Sequence, residues 1–409
     1  MEMDIKKKVL VFVPKFPVLS ETFIDREISK MTESAVLDIK ILSLEKGQGM
    51  VSPNLVDKVS YYKLNVLDLL LSFPMWFDYL PRILRAYSLL KSTPFSFGKI
   101  YTLIKAVGFA RKIKDFNPDI IFVHFLSYPS TLIMLVSAIL RIPYAISGHA
   151  IDILVEGEYL QEKAKTAKFI VICNRNAYNF VLNKLDKSLQ SKVFLQFHGI
   201  DFGKELQSGE ALAEVKKLDK PLIFNVGRLV EKKGQKYLIE ASKILIDSGV
   251  DHYLYIAGGG TPEAYAEIMK LIADKHLEST VKILGDGQGV VYSEIEKCYL
   301  MADVVAFPGI TAESGDADGI PNVLVEGAFY KVPMVSTDSG STTDLIVNNE
   351  TGLLVPQKDS QKLAEALKTV LQNKDLATKL TTNASLKAKE LFDLNKNVKK
   401  LEELLCSTI

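Results

Sequence analysis

The sequence predicts an α/β protein of two domains, each built on a parallel sheet covered by helices on both faces. Three observations carry this. The chain has 409 residues, too many for one ordinary core and enough for two at roughly 100 to 200 residues per domain. Short β-branched runs alternate with longer stretches of helical spacing, and the runs are apolar nearly throughout, as strands buried on both faces are. The pattern then restarts near residue 220, after a polar segment without strand character.

In the first half the predicted strands are KVLVFVP (8–14), LDIKILSL (37–44), DIIFVHF (119–125), PYAISGH (143–149), KFIVICN (168–174) and KVFLQFHG (192–199). The polar stretch 199–220 is the predicted linker. The second series is PLIFNVG (221–227), YLYIAGGG (253–260), VKILGD (281–286), ADVVAFPG (302–309), VPMVSTD (332–338) and TGLLVP (351–356). FDLNKNVKKLEELLCSTI (392–409) completes the chain as one more helix. The expected division is 1–203, 204–390 and a terminal helical segment 391–409 that packs back towards the first domain. Two similar domains joined in this way usually enclose a cleft, and ligands of open parallel sheets bind at the carboxyl ends of the strands. The Gly, His and Asp residues of the runs above fall there.

Composition excludes several classes. Charged residues make up 24% and hydrophobic residues 48%, with a net charge of +1, so the chain reads as globular and gives no support to a nucleic-acid partner. Cys173, Cys298 and Cys406 form no CxxC pair, which argues against a disulfide framework or a zinc site and fits a reducing, cytoplasmic compartment. The N-terminal MEMDIKKKVLVFVPKF reads as a first strand and not as a signal peptide. The longest apolar run, Thr131 to Leu140, is well short of the roughly 20 residues of a membrane span. From Arg82 to Lys114 there are eight basic residues (Arg82, Arg85, Lys91, Lys99, Lys105, Arg111, Lys112 and Lys114) and no acidic one. Interleaved with Leu, Phe, Tyr and Ile, the 61–114 region is either a basic amphipathic surface for the anionic inner face of the cytoplasmic membrane or a set of core-packing helices with a solvated basic face.

Three stretches can carry chemistry. In FNVGRLVEKKGQKYLIEA (224–241), a strand ends at Gly227 and a loop bearing Arg228, Lys232, Lys233 and Gly234 leads into a helix, where cations and free N–H groups can meet a phosphate; the alternative is a polar surface loop. Gly258, Gly259 and Gly260 follow a strand, but Glu263 stands where a dinucleotide fingerprint needs its third Gly, so a tight strand-to-helix turn is expected. GDADGIPNVLVEG (315–327) places Asp316, Asp318 and Glu326 around a Gly-Ile-Pro turn. Pro321 is expected in the first helical turn, and Asn322 and Glu326 share a helix face. Acids that complement the helix dipole would explain Asp316 and Asp318. They would explain Glu326 poorly, whereas two carboxylates eight positions apart could accept hydrogen bonds from two sets of ligand hydroxyls.

Together, Gly227-Arg228, Lys233-Gly234, GDADGIPNVLVEGA and VPMVSTDSG…TGLLVP resemble the donor-binding domain of retaining glycosyltransferases of family 4. FPVLSETFIDREI (16–28), SGHAIDI (147–153) and FHGID (197–201) extend the resemblance to the first domain, in the exopolysaccharide branch of colanic-acid and amylovoran type. It covers nearly the whole chain, least over residues 45–115. It implies the GT-B fold, two Rossmann-like domains facing each other across a cleft, with acceptor bound by 1–203 and nucleotide-sugar donor by 204–390.

By that resemblance Arg228 and Lys233 match the pair that binds the donor diphosphate and stabilises the charge growing on the leaving group. Glu326 matches the acid that accepts the ribose hydroxyls, and Asp318 stands where the family has the first Glu of E-x7-E, which holds donor-sugar hydroxyls. Asp is one methylene shorter, which leaves the donor sugar open. Gly227, Gly258, Leu284, Gly319, Ile320, Pro321 and Asn322 complete the implied donor site. His149 matches the histidine that faces the donor sugar. Ser20, Glu21 and Thr22 are the acceptor-contact candidates, although a base is not required of Glu21 if the departing phosphate takes the acceptor's proton. His198 and Asp201 read as hinge or packing residues. With Arg228 and Lys233 to neutralise the diphosphate, Asp316-Ala317-Asp318 is not expected to hold a metal, and no cofactor is expected. The expected reaction moves a hexose-type sugar from a UDP- or GDP-sugar to a saccharide or lipid-linked saccharide. Rival expectations are a GT-B nucleotide-sugar epimerase, a nicotinamide oxidoreductase resting on Gly258–Gly260, and a non-catalytic nucleotide-sugar-binding subunit.

Overall fold

All twelve predicted strands form. A computed structural model describes residues 6–18, 21–90, 96–154, 158–203 and 218–407, and its chain divides into unit 1, Met1–Gly199 with Leu394–Ile409, and unit 2, Ile200–Asp393.

Unit 1 carries a seven-stranded parallel sheet in the order β3-β2-β1-β4-β5-β6-β7. Its strands are β1 (Lys7–Phe16), β2 (Leu37–Lys46), β3 (Val59–Tyr61), β4 (Ile120–His124), β5 (Tyr144–Gly148), β6 (Ile170–Ile172) and β7 (Val193–Leu195). Strand β1 sits centrally, with Val9 in register with Ile39 of β2 and Ile120 of β4. Both faces are buried. Leu10 and Phe12 enter one apolar core with Ile121 and Val123, while Val9 and Val11 enter the other with Ile39 and Phe122, the two-residue alternation of a strand. Each such fully buried side chain contributes about 1.5–3 kcal/mol. The helices Phe97–Phe116 and Tyr128–Leu140 cover the first face. The second is covered by Thr22–Met31 and Leu394–Ser407, through Ile24, Ile28, Leu394, Val398, Leu401 and Leu405. Lys7 Nζ donates to the Cys406 carbonyl at 2.6 Å. Strand β3 is absent from the sequence reading because three residues after the 3-10 turn Pro53–Lys58 are too few for any period to register.

Unit 2 has a six-stranded parallel sheet, β10-β9-β8-β11-β12-β13. The strands are β8 (Leu222–Val226), β9 (Tyr253–Ala257), β10 (Val281–Leu284), β11 (Val304–Phe307), β12 (Met334–Thr337) and β13 (Leu353–Val355). In each unit the strand order reverses beside the first strand, between β1 and β4 and between β8 and β11. Loops leaving the carboxyl ends of those strands diverge there and leave room for a ligand.

The 61–114 region is more mixed than its composition suggests. Lys99 is buried, with Nζ bonded to the Leu90 carbonyl, Arg82 donates to the Ile139 carbonyl at 3.3 Å, and Lys91 lies outside the described residues. Against this, Leu67, Leu70, Phe73, Phe77, Leu84 and Phe97 are all at least 60% exposed. Among the described residues no helix is long and apolar enough to cross a membrane. Of the predicted linker, residues 204–217 lie outside the described residues.

Candidate functional site

The site in unit 2 is built where β8 and β11 part. Strand β8 runs into Gly227, whose N–H donates to the Ala257 carbonyl of β9 at 2.9 Å. A Cβ on Gly258 would lie 1.9 Å from the Gly227 oxygen, so only glycine lets the two strand ends approach so closely. The chain then makes a 3-10 turn, Glu231–Lys233, and leaves it at Gly234 with φ +64°. A Cβ at Gly234 would sit 2.0 Å from the Pro308 oxygen beyond β11, and the Ile310 N–H donates to the Lys232 carbonyl at 2.8 Å. The two loops are thereby locked together, and their charges meet. Lys232 Nζ lies 3.0 Å from Asp316 Oδ1 and 3.4 Å from Asp318 Oδ1, and Lys233 Nζ lies 2.6 Å from Asp318 Oδ2. Burial favours the neutral acid at Asp318, but the two ammonium groups outweigh it and hold the carboxyl below its ordinary range. Arg228 is exposed, and among the described residues its guanidinium has no protein partner. Its carbonyl accepts from Gln235 Nε2 at 2.9 Å.

Helix Asn322–Phe329 begins one residue later than expected, with Pro321 at its cap (φ −65°) instead of inside the first turn. The preceding loop is pinned from β12: Ser341 N–H donates to the Gly319 carbonyl at 3.1 Å, and a Cβ on Gly340 would lie 1.9 Å from the Asp318 oxygen. Ile320 and Asn322 stay partly exposed on this loop and helix start. Glu326 is 5% exposed and accepts from the Tyr299 hydroxyl at 3.0 Å; burial first, then the Glu326 charge, pushes that phenol's pKa far up. Gly258–Gly260 open the turn to helix Pro262–Asp274, whose cap Thr261 accepts from Ala264 N–H. Leu284 ends β10, two strands from β8.

Thus Gly227, Lys233, Gly258 and Asp318 come together, with Arg228 beside them and Glu326 behind on its helix. Lys232, read from the sequence as one of the phosphate-loop cations but given no role of its own, and Asp316, read as an acid that complements the helix dipole, are part of the same charge cluster. The adjacent pairs Lys232-Lys233 and Asp316-x-Asp318 were the available signal.

In unit 1, His149 follows β5 and is buried beside Phe23 and Phe125, with ring centroids 5.3 and 4.7 Å apart. Its backbone N–H donates to Asp152 Oδ1 at 3.0 Å. Helix Thr22–Met31 leaves the end of β1 with Glu21 at its cap, and Thr22 Oγ1 accepts from Arg26 at 2.7 Å. Ser20 lies outside the described residues. Far from being a plain hinge or packing residue, His198 sits in a buried cluster with Glu27, His124 and His149. Its partner Glu27 lies 171 positions away, a pairing that no local pattern announces. Asp201 accepts from Gly203 N–H at 3.0 Å in the loop that opens unit 2. Among the described residues, His149, Cys173 and His198 form a group whose ligand atoms lie within 4.8 Å of one another, close enough for one soft metal ion.

Residues 210–387 match the family of glycosyl transferases group 1. The chain is 34% identical over 189 residues to the amylovoran biosynthesis glycosyltransferase AmsK of Erwinia amylovora, covering 46% of this chain and 45% of that one; it therefore spans under half of that relative's length. Among solved structures, a glycosyltransferase from Rickettsia africae superposes with a TM-score of 0.76 at 19% identity over 98% of both chains. Anabaena HepE in complex with UDP and glucose gives 0.72 at 16% identity, over 98% of this chain and 99% of that one.

Proposed function

We propose that the chain, whose residues 210–387 match the family of glycosyl transferases group 1 and whose fold is two parallel-sheet Rossmann-like units of GT-B type, moves a hexose-type sugar, with retention, from a nucleotide-sugar donor to a hydroxyl of a saccharide or lipid-linked saccharide in cell-surface polysaccharide synthesis. The observation that carries this is the charge cluster at the β8–β11 divergence, where Lys232 and Lys233 meet Asp318 beside the exposed Arg228.

The chemistry follows from those groups. Arg228 and Lys233 bind the diphosphate, and their positive charge is worth most when the bond from the anomeric carbon to the diphosphate oxygen breaks and negative charge builds there. The acceptor oxygen bonds to that carbon from the same face, and its proton passes to the departing phosphate. Asp318 accepts hydrogen bonds from sugar hydroxyls and Glu326 from ribose hydroxyls. Two fixed cations neutralise the diphosphate without a metal ion. The exposed apolar side chains Leu67, Leu70, Phe73, Phe77, Leu84 and Phe97, with the exposed Arg85 among them, support docking on the anionic inner face of the cytoplasmic membrane, where a lipid-linked acceptor would be met.

The test is a panel of UDP- and GDP-sugars scored for thermal stabilisation and slow hydrolysis, with and without EDTA. UDP-glucose comes first because UDP and glucose are bound in the HepE complex. One donor should stabilise and turn over, with EDTA leaving the rate intact. Stabilisation by none refutes the reading, epimerised donor without acceptor replaces it, and an EDTA loss restored by manganese refutes metal independence.

A further inference from the structure

Three of the chain's five histidines gather at the carboxyl ends of the unit 1 sheet: His124 ends β4, His149 follows β5 and His198 follows β7. They line up, with His149 stacked on His124 at 5.6 Å and on His198 at 5.2 Å between ring centroids. Glu27, from the helix after β1, closes the row. His198 Nδ1 lies 2.9 Å from Glu27 Oε2, and His198 Nε2 lies 3.2 Å from His149 Nδ1. All four groups are buried or nearly so.

The hydrogen-bond inventory of imidazole orders this chain. Facing a carboxylate oxygen, His198 Nδ1 must donate. A neutral ring would then have only an acceptor at Nε2, and His149 Nδ1 would have to donate to it; as an imidazolium, His198 donates from both nitrogens. The charged form is the favoured one here. Burial opposes it, but the Glu27 carboxylate, helped by the neighbouring Cys173 sulfur, outweighs burial and raises the His198 pKa to about 10. Burial and then its two neighbouring histidines hold His149 well below its ordinary value, so His149 is neutral and accepts at Nδ1. Its one proton is therefore on Nε2, which is buried and has no hydrogen-bond partner among the described residues. A buried donor left unpaired has lost its hydration with nothing in return, and such an orphan calls for a function.

We propose that Glu27 and His198 are positioning residues that lock His149 in the Nε2–H tautomer and thereby present one buried N–H to an oxygen of the saccharide substrate. This rests on the glycosyl-transfer reading above. The carboxylate fixes the imidazolium, the imidazolium fixes the neutral ring, and the neutral ring offers a donor and never a base. The other titratable groups facing His149 do not break the chain. His124 is held neutral, with a pKa of about 4, chiefly by burial. Asp152 is engaged by the His149 backbone N–H, and Cys173 Sγ stands 3.8 Å from Nδ1. A metal ion on His149, Cys173 and His198 would need the two nitrogens that already face each other at hydrogen-bond distance. It would also leave His149 Nε2 without the partner that a ligating histidine normally has.

The test reads the tautomers directly. In full-length protein with 15N-labelled histidine rings, long-range 1H–15N correlation at pH 7.5 should show one neutral ring protonated on Nε2, lost in His149→Gln, and one ring protonated on both nitrogens, lost in His198→Gln. In Glu27→Gln the doubly protonated ring should titrate at least two pH units lower and the His149 ring should populate both tautomers. With the donor found in the panel, kcat should fall at least tenfold while donor KM changes less than threefold, and Glu27→Asp should recover part of the rate. A wild-type His149 protonated on Nδ1, an unshifted His198 in Glu27→Gln, or one equivalent of bound zinc on the two rings would each overturn the proposal. If the tautomers are as stated but no nucleotide sugar turns over, the substrate assignment falls, and with it the role given to the N–H.

Discussion

Replacing Asp318 by Asn should tighten the binding of bare nucleoside diphosphate while it slows turnover of the sugar donor. In the free protein Asp318 occupies the cations that the diphosphate is proposed to use: Lys233 at 2.6 Å and Lys232 at 3.4 Å. A diphosphate must displace that carboxylate. Hydrogen bonds to charged groups are worth about 1.5–3 kcal/mol, and a neutral Asn oxygen retains roughly half of this, so about 1.4 kcal/mol of competition is removed, equivalent to a tenfold tighter Kd. The fold loses in return. Breaking a fully buried pair costs about 3–5 kcal/mol; with the carboxylate 13% exposed and Asp316 still on Lys232, about 2 kcal/mol is expected. Loss of a charged acceptor for sugar hydroxyls should lower kcat by roughly 10²-fold, in line with single electrostatic contacts to a transition state. Calorimetric titration with UDP and GDP, a donor hydrolysis assay and urea denaturation measure the three effects. Diphosphate binding that weakens in Asp318→Asn would refute the competition, because then Asp318 does not restrain Lys233.

Gly258→Ala drives a methyl group to within 1.9 Å of a backbone oxygen and should destabilise unit 2 by about 3 kcal/mol, the upper part of the overpacking range, whereas Gly249→Ala, in open space at φ +77°, should cost about 1 kcal/mol. Equal melting temperatures for the two variants would contradict the close approach of β8 and β9. Burial depresses the His124 pKa from 6.5 to about 4, so its neutral form contributes stability that is complete above pH 6.5 and lost as pH falls towards 4. The loss is on the order of 3 kcal/mol, and in urea denaturation at pH 7 and pH 4.5 it should be largely absent from His124→Asn. Vesicles containing phosphatidylserine should bind the protein, and Leu70→Ser with Phe77→Ser, both well exposed, should weaken that binding at least fivefold; equal sedimentation with neutral and anionic vesicles would refute the membrane surface.

Much of the architecture was legible because a parallel strand buried on both faces leaves an unbroken apolar run. Leu222–Val226 and Val304–Phe307 needed nothing but that run and the glycine or proline after it. Strand β3 was not legible, since Val59–Tyr61 is partly exposed and three residues long. At the candidate site the glycines and the Lys-Asp pairs stood out as local patterns. What stayed hidden was which partner each charge would find. Lys232 and Asp316 looked like surface residues, and they meet only because Gly234 and Pro308 bring two loops 84 positions apart into contact. The Glu27–His198–His149 row is hidden for the same reason: it is assembled by sheet order from the ends of β5 and β7 and the helix that follows β1.

The C-terminal helix Leu394–Ser407 belongs to unit 1 and supplies four apolar side chains to the face lined by Ile24 and Ile28. During synthesis that face is exposed long before its cover exists. The ribosome must first make all of Ile200–Asp393, roughly 200 residues, which at about 5–20 residues per second takes on the order of 10–40 s. Throughout that interval the nascent N-terminal sheet shows an uncovered hydrophobic strip while the second unit can complete its own core. The first unit to be translated is therefore the last to be finished, and chaperones that grip exposed apolar segments have a defined target and a defined time window on this chain.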